Sequence, residues 1–191
     1  QAVEEEQREQ TKKRNKLLYQ SEHDELTGLY NKRSLNRYLE DVFEACKLNE
    51  KELGILFLDI DYFKQLNDRY GHGKGDEGIC AVADTLKRIF PEDYVARYGG
   101  DEFLVVMTGR DLTYVMEHAE SLCAGIREYK IPNEDSELEP WLTISVGGVC
   151  AIPKEPNRVW DFLSAADNTL YEQKKEQKGK VRFYQGEGKY L

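Results

Sequence analysis

The sequence predicts an α+β domain: a ferredoxin-like palm, in which a central mixed sheet is flanked by helices, preceded by an N-terminal linker helix. Two observations favour this fold. The apolar run LGILFLDI at 53–60 is typical of a central strand covered on both faces. Helix and strand patterns then follow in an order that includes a strand hairpin. A hairpin among crossover helices implies antiparallel strand pairs, unlike a doubly wound parallel sheet.

The periodicity of the apolar residues defines each element. Residues 1–20 contain good helix formers but no face to bury, so we expect a signalling or linker helix before a domain at 21–191. In the hairpin, Gly99 and Gly100 are expected to adopt the positive φ angles of a tight turn. The predicted elements of the domain are a helix at 34–48, a strand at 53–60, a helix at 63–70, a glycine-punctuated loop, a helix from about 79 to Pro91, strands at 93–98 and 102–107, a helix at 112–126, an acidic loop at 133–140, a strand at 141–150, a helix at 159–175 and a strand at 181–184.

Composition limits the classes of function. The 191 residues are 40% hydrophobic and 33% charged, as expected for a globular chain, and the net charge of −9 argues against general nucleic-acid binding. An anionic substrate held by metal ions and a few lysines remains compatible with this charge. No apolar run reaches the length of a membrane span and no signal peptide is recognised, so we expect a cytoplasmic segment without membrane contact, whose parent protein could still be membrane-anchored.

The four cysteines are far apart in the sequence and form no C-x-x-C pair. Each lies in an apolar context, which predicts reduced core residues rather than metal ligands or disulfides. They are Cys46, Cys80, Cys123 and Cys150.

Three acidic residues stand where predicted strands meet the surface. Asp59 ends the 53–60 strand, and Asp101 and Glu102 lie at the hairpin tip. If the hairpin and this strand are neighbours, the three carboxylates share one rim, and such oxygen ligands suit Mg²⁺. Two such ions can support phosphoryl transfer. The alternative is an ordinary acidic turn in solvent, and the spacing alone does not decide between them.

The segment DYFKQLNDRYGHGKGDEG after Asp59 adds polar groups suited to a nucleotide. Its glycines allow the backbone to approach a phosphate, and Lys64 can offset phosphate charge. Asp76 can accept two N–H bonds from guanine, and Asn67 can add amide bonds. Taken singly, a lone Lys or Asn on a short helix is usually a solvated residue, and His72 is more often a loop histidine than a ligand.

Several motifs in order together resemble the GGDEF family of diguanylate cyclases. The resemblance covers roughly residues 21–185 and includes motifs distant from the signature itself. The matching motifs are DELTGLYNKR at 24–33, FLDIDYFKQLND at 57–68, GHGKGDEG at 71–78, GGDEF at 99–103, TISVGG at 143–148 and AADNTLYEQKK at 165–175.

The resemblance implies a reaction in which two GTP molecules condense to cyclic di-GMP with release of two pyrophosphates. It also implies that the palm is similar to that of nucleotide cyclases. Two Mg²⁺ ions per site, or Mn²⁺ in their place, would serve as cofactors. Each domain would hold one GTP, so activity would require a homodimer, with an upstream sensor domain acting through the N-terminal helix.

The resemblance also implies roles for individual residues. Lys178 stands where the family often has Arg, and GTP should be preferred because Asp76 is retained. The implied roles are metal binding by Asp59, the Ile60 carbonyl, Asp101 and Glu102; activation of the attacking 3′-hydroxyl by Asp101; transition-state stabilisation by Lys64; guanine recognition by Asn67 and Asp76 with His72 beside them; triphosphate binding by Lys174 and Lys178; and a supporting pair of Asp24 and Arg97.

The family's product-inhibition motif R-x-x-D is degenerate here. Asp93 stands at the Asp position, but Phe90 replaces the Arg. We therefore expect weak or absent feedback inhibition by this route.

Two alternatives to an active cyclase remain. The first is a catalytically silent receptor or scaffold that binds GTP or cyclic di-GMP, which the intact signature acids argue against. The second is another palm-type nucleotidyl enzyme, which the acidic charge and the guanine-reading Asp76 argue against.

Overall fold

Six helices and five strands make up residues 2–185, the part of the chain that the computed structural model describes. In chain order they are α1 (Ala2–Glu22), α2 (Lys32–Leu48), β1 (Leu53–Ile60), α3 (Phe63–Tyr70), α4 (His72–Ile89), β2 (Tyr94–Arg97), β3 (Glu102–Thr108), α5 (Leu112–Glu128), β4 (Ile144–Ala151), α6 (Val159–Glu176) and β5 (Val181–Phe183).

The strands form one mixed sheet in the order β2-β3-β1-β4-β5. All neighbours are antiparallel except β4 and β5, which are parallel. The central strand β1 is buried at every position, as its continuous apolar run predicts. The predicted fold, a mixed α+β sheet flanked by helices, is therefore confirmed.

Helices cover both faces of this sheet. Alternate residues of β1 enter opposite cores: Leu56 and Leu58 pack with α3, α4 and α5, whereas Ile55 and Phe57 pack with α2 and α6. The loops at the ends of the strands are consequently held between two packed layers, and the end of β1 forms the edge where Asp59 lies.

Helix α1 is exposed along its length. Val3, Leu17 and Leu18 are 67%, 60% and 53% exposed. Within residues 2–185, none of the helices combines the length and the apolar character that crossing a bilayer requires.

The glycine-rich segment after α3 is helical, so the loop predicted before residue 79 is wrong. Helix α4 begins at His72, and only Gly71, at φ 85°, separates it from α3. A Cβ on Gly75 would lie 2.0 Å from Asn67 Oδ1, and one on Gly78 would lie 2.6 Å from Leu142. Because these two glycines of α4 have no side chain, Asn67 and Leu142 can pack closely against the helix.

The hairpin turn also differs from its prediction. Neither Gly99 nor Gly100 has a positive φ angle. A Cβ on Gly99 would instead lie 2.9 Å from Glu102 Oε2, so this glycine leaves room for a carboxylate of the site. Strand β2 is shorter than the predicted 93–98, β3 extends to Thr108, β4 begins at Ile144 rather than at residue 141, and β5 ends at Phe183.

All four cysteines are free thiols. Cys46 and Cys123 are buried as predicted, and Cys150 is partly exposed but packs against the core. Cys80 is partly exposed, so the core assignment is wrong for this residue. Cys80 lies on α4 and directs its thiol to the Leu26 carbonyl at the surface.

Candidate active site

The ends of β1 and β3 place three acidic residues on one rim. Asp59 faces Glu102 across the antiparallel pair, and the Ile60 N–H donates to the Asp101 carbonyl at 3.2 Å. Asp59 is only 7% exposed, whereas Asp101 and Glu102 are half-buried. Because the hairpin pairs directly with the central strand, the acids that are far apart in sequence lie side by side.

Helix α6 brings a cation to these carboxylates. The Lys174 ammonium donates to Asp59 Oδ2, while Asp59 Oδ1 is buried and has no hydrogen-bond partner within residues 2–185. Lys174 also feels the charges of Asp61 and Asp101. One oxygen of the Asp59 carboxylate thus accepts a hydrogen bond from Lys174, and the other oxygen could contact a second cation.

Burial and repulsion between the carboxylates shift the pKa values of the residues at the rim. Burial raises the pKa of Asp59 to about 6, although Lys174 opposes the shift. Burial and the neighbouring Asp101 raise the pKa of Glu102. Burial lowers the pKa of Lys174, but the hydrogen bond and charge of Asp59 outweigh this and raise it overall. The cluster therefore carries more negative charge than Lys174 alone stabilises.

The donor set fits Mg²⁺. Asp59, Asp101 and Glu102 supply hard oxygen ligands, and the orphaned Asp59 Oδ1 lacks a partner that a metal ion would provide. Among the described residues, no group of three or more His, Cys, Asp or Glu side chains is already arranged to hold a metal.

A fourth acid, Asp61, belongs to the site although sequence analysis assigned it no role. It is 1% exposed and accepts hydrogen bonds from Thr143 Oγ1 at 2.8 Å and Ser145 Oγ at 2.6 Å. Burial raises its pKa, and the two hydroxyls oppose the shift. The one sequence signal was its position two residues after Asp59, immediately beyond the strand.

Helices α3 and α4 carry the predicted nucleotide-binding residues. Asn67 packs against Gly75, next to the exposed Asp76, and its buried Oδ1 has no hydrogen-bond partner in the part of the chain that the structure describes. His72, the first residue of α4, is also exposed. The structure thus brings Asn67 close to the helical turn that bears Asp76.

Lys64 stands apart from the acidic rim. Its side chain is 85% exposed and forms an ion pair with Asp68 at 3.2 Å. Within residues 2–185, it makes no hydrogen bond or ion pair with Asp59, in contrast to Lys174.

Arg97 holds the turn that presents Asp101. Its guanidinium donates to Asp24 Oδ1 at 3.1 Å and to the Gly100 carbonyl at 2.8 Å. Burial raises the pKa of Asp24, but hydrogen bonds from Thr27 and Arg97 outweigh this and lower it. The contact joins the segment before α2 to the hairpin.

At the degenerate inhibitory motif, Phe90 is 1% exposed and packs in the core against α4 and α5. Asp93 is half-buried, and its Oδ2 has no hydrogen-bond partner. The position of the family arginine thus serves packing and presents no cation to a ligand.

Lys178 lies just after α6, and its charge acts on Asp61. Its ammonium is 4.1 Å from the centre of the Tyr62 ring. Lys174 and Lys178 are close in sequence but contact different groups. Lys174 contacts the Asp59 carboxylate, and Lys178 contacts the face of the Tyr62 ring.

A family and several known proteins are similar to this chain in sequence. The family described as "Diguanylate cyclase, GGDEF domain" matches residues 21–180. A probable diguanylate cyclase, DgcC of Escherichia coli, is 32% identical over 162 residues, which are 84% of this chain and 42% of that protein. An uncharacterised signalling protein of Caulobacter vibrioides is 30% identical over 94% of this chain and 22% of its own length. The chain thus spans less than half of these relatives.

Solved structures have the same fold. The GGDEF domain of DgcB from Caulobacter crescentus, in complex with c-di-GMP, has a TM-score of 0.78 at 25% identity and covers 86% of this chain and 96% of its own. The GGDEF domain of PA1120 from Pseudomonas aeruginosa has a TM-score of 0.74 at 27% identity, covering 85% of this chain and 94% of its own. Diguanylate cyclase SiaD from Pseudomonas aeruginosa, in complex with its activator SiaC, has a TM-score of 0.74 at 26% identity, covering 95% of this chain and 70% of its own. Because the family matches residues 21–180 and the solved structures share the fold, the chain belongs to the GGDEF domain family of diguanylate cyclases.

Proposed function

We propose that this chain is an active, metal-dependent diguanylate cyclase domain that condenses two GTP molecules into cyclic di-GMP and releases two pyrophosphates. The observation that carries the proposal is the rim of Asp59, Asp101 and Glu102, in which a buried carboxylate oxygen lacks a partner. Family membership supplies the reaction, and the retained acids favour an active member.

The metal would be held by the carboxylates of Asp59, Asp101 and Glu102 and by the Ile60 carbonyl. Bound there, two Mg²⁺ ions, or Mn²⁺ in their place, would neutralise phosphate charge during the transfer. Asp101, which is half-buried at the tip of the hairpin, would accept the proton of the attacking 3′-hydroxyl.

Lysines would hold the rest of the phosphate charge. Lys174 would exchange Asp59 for a phosphate oxygen, and Lys178 would also bind the triphosphate. The exposed Lys64 is free of the acidic rim and would turn from Asp68 towards the transferring phosphate.

Asn67 and Asp76 would recognise guanine, with His72 beside them. A carboxylate accepts the two N–H groups on the Watson–Crick edge of guanine, a pattern that adenine does not offer. The exposed position of Asp76 on α4 supports this role because the carboxylate is accessible to a ligand.

The reaction requires two domains face to face, since each would hold one GTP. We propose that a homodimer forms the complete site, and that an upstream sensor domain acts through α1. The domain would work in the cytoplasm, where GTP is available. The buried Phe90 favours weak or absent product inhibition through the family motif.

The first test is chromatography of the products formed by concentrated protein with GTP and Mg²⁺. We expect cyclic di-GMP from GTP and no cyclic product from ATP. Asp101→Ala should abolish the product, whereas Glu92→Ala, a change at an exposed ion pair with Arg110, should not. Intact GTP binding without product, even after fusion to a strong dimerising coiled coil, would instead indicate a silent receptor.

A further inference from the structure

Lys178 is held at its side chain by an aromatic ring. Its ammonium lies 4.1 Å from the centre of the Tyr62 ring, a distance at which the ring quadrupole attracts a cation. The Tyr62 hydroxyl donates to Glu137 Oε2 at 3.3 Å, which fixes the far end of the ring. The position of the Lys178 ammonium is therefore set by its contact with the Tyr62 ring as well as by the rotamers of the lysine side chain.

The backbone of Tyr62 is itself in an uncommon conformation. It is the N-cap residue of α3 and has φ 53° and ψ 35°, in the left-handed region. Left-handed residues other than glycine cost free energy and are concentrated at functional sites. Here the conformation turns the chain from β1 into α3 directly beside the acidic rim.

The backbone next to Lys178 is fixed through the same segment. The Gly179 N–H donates to Ser145 Oγ at 2.9 Å, and Ser145 Oγ donates to Asp61 Oδ1 at 2.6 Å. The Gly179 carbonyl accepts from Arg127 Nη2 at 2.6 Å. Asp61 and its neighbour Tyr62 thus hold the lysine at the main chain and at the side chain respectively.

The contact with Tyr62 matters because position 178 carries lysine and not arginine. Lysine is a point charge on a flexible stem, whereas arginine grips phosphate oxygens through a rigid planar fork. A lysine that is already ordered loses less conformational entropy when it binds a phosphate. An aromatic support can therefore partly compensate for the absence of the fork.

We propose that Tyr62 is a positioning residue for the triphosphate, because its ring holds the Lys178 ammonium towards the rim of the active site. This inference rests on the proposed function, in which Lys178 binds the triphosphate. Tyr62 itself need not contact the nucleotide.

The test is a double-mutant cycle read out as affinity for GTP and for guanosine in the presence of Mg²⁺. We expect Tyr62→Leu to weaken GTP binding about two- to fivefold, the effect of losing one cation–π contact, and to leave guanosine binding unchanged. In the Lys178→Ala background, Tyr62→Leu should have no further effect. In turnover, the KM for GTP should rise while kcat stays close to its original value.

Two further variants separate positioning from stability. Tyr62→Phe keeps the ring face and should retain the coupling to Lys178. Tyr171→Leu is the matched control, because Tyr171 carries Lys175 at 4.2 Å in the same type of contact on α6. It should leave GTP affinity unchanged.

Independent, multiplicative effects of Tyr62→Leu and Lys178→Ala would overturn the inference, as would an equal loss of guanosine affinity. An equal loss in Tyr62→Phe and Tyr62→Leu would also overturn it, since the hydroxyl and not the ring would then matter. Wild-type protein that binds GTP but forms no cyclic di-GMP would overturn the proposed function. The double-mutant cycle would still test the inference about Tyr62, because it is measured as affinity for GTP.

Discussion

Asp59 combines burial with a negative charge, two properties that oppose each other in a folded protein. Burial raises its pKa to about 6, and the nearby Asp61 and Asp101 add repulsion that Lys174 only partly offsets. The ionised form of Asp59 therefore destabilises the fold. The cost is localised at one residue, so it can be measured.

We predict that Asp59→Asn stabilises the metal-free protein at pH 8. The carboxyl group ionises near pH 3.8 in the unfolded chain and near pH 6 in the folded one, so raising the pH through this window favours unfolding. The variant should gain roughly 1–3 kcal/mol in the free energy of unfolding above pH 6, since one pKa unit corresponds to about 1.4 kcal/mol.

Urea unfolding at pH 4 and pH 8 in the presence of EDTA measures this gain, which should disappear at the lower pH. Asp68→Asn, at an exposed acid on α3, is the control and should change little. A variant less stable than wild type at pH 8 would show that the Lys174 ion pair outweighs the burial of Asp59.

The acidic rim could be predicted from the sequence because each acid stands next to a strand end, and strand ends are visible in the apolar pattern. The contact between Lys174 and Asp59 could not, because it spans 115 residues and depends on how α6 crosses the sheet. The contact between the Tyr62 ring and Lys178 could not be predicted either, because the two residues are also far apart in the sequence. Their roles in binding remain predictions.

At the scale of elements, the packing of α6 on β4 places Lys174 over the rim. Gly147 makes this approach possible, since a Cβ there would lie 2.2 Å from the Leu170 nitrogen and 2.3 Å from the Ala166 carbonyl oxygen. Both are backbone atoms, which cannot rotate away as a side chain can. The glycine is thus needed for the distance between helix and sheet.

We predict that Gly147→Ala lowers the free energy of unfolding by at least about 2–3 kcal/mol, because α6 must move away from the sheet. Its matched control is Gly73→Ala in α4, where a Cβ meets nothing within 4 Å. That change should stabilise the protein by about 0.5–1 kcal/mol through helix propensity. Denaturant unfolding of both variants provides the measurement, and a neutral Gly147→Ala would contradict the close packing.

Element types and order could be predicted from periodicity, but the function of each glycine could not. The segment GHGKGDEG suggests a loop because glycine is common in turns, whereas Gly75 and Gly78 lie inside α4 for close contact with Asn67 and Leu142. Sequence alone does not distinguish a glycine needed for its φ angle from one needed for its lack of a side chain.

At the scale of the molecule, a stack of five aromatic rings joins the end of α1 to the domain. Successive rings of Tyr19, His23, Tyr30, Tyr94 and Tyr38 are 4.0, 4.6, 4.2 and 3.8 Å apart. The stack crosses from α1 to β2 and α2, so it could not be read from local sequence. It attaches the end of the exposed helix to the domain.

The exposed face of α1 leads to a prediction about assembly. If two GTP-loaded domains must meet, the initial rate of cyclic di-GMP formation in dilute protein should rise with the protein concentration with a log–log slope of about two. Leu17 and Leu18 are more than half exposed near the end of α1, and pairing of two such helices would bury them. The double change Leu17→Asp and Leu18→Asp should therefore lower the rate in dilute protein, and higher concentration should restore it.

Leu112→Asp, at an exposed leucine that begins α5, is the control and should leave the concentration dependence unchanged. Light scattering on the same samples would report the fraction of dimer. A slope of about one in protein that scatters as a monomer would contradict the dimer requirement, because a single domain would then complete both transfers. A slope of about two that is insensitive to the α1 changes would retain the dimer and place its contacts on the catalytic domain itself.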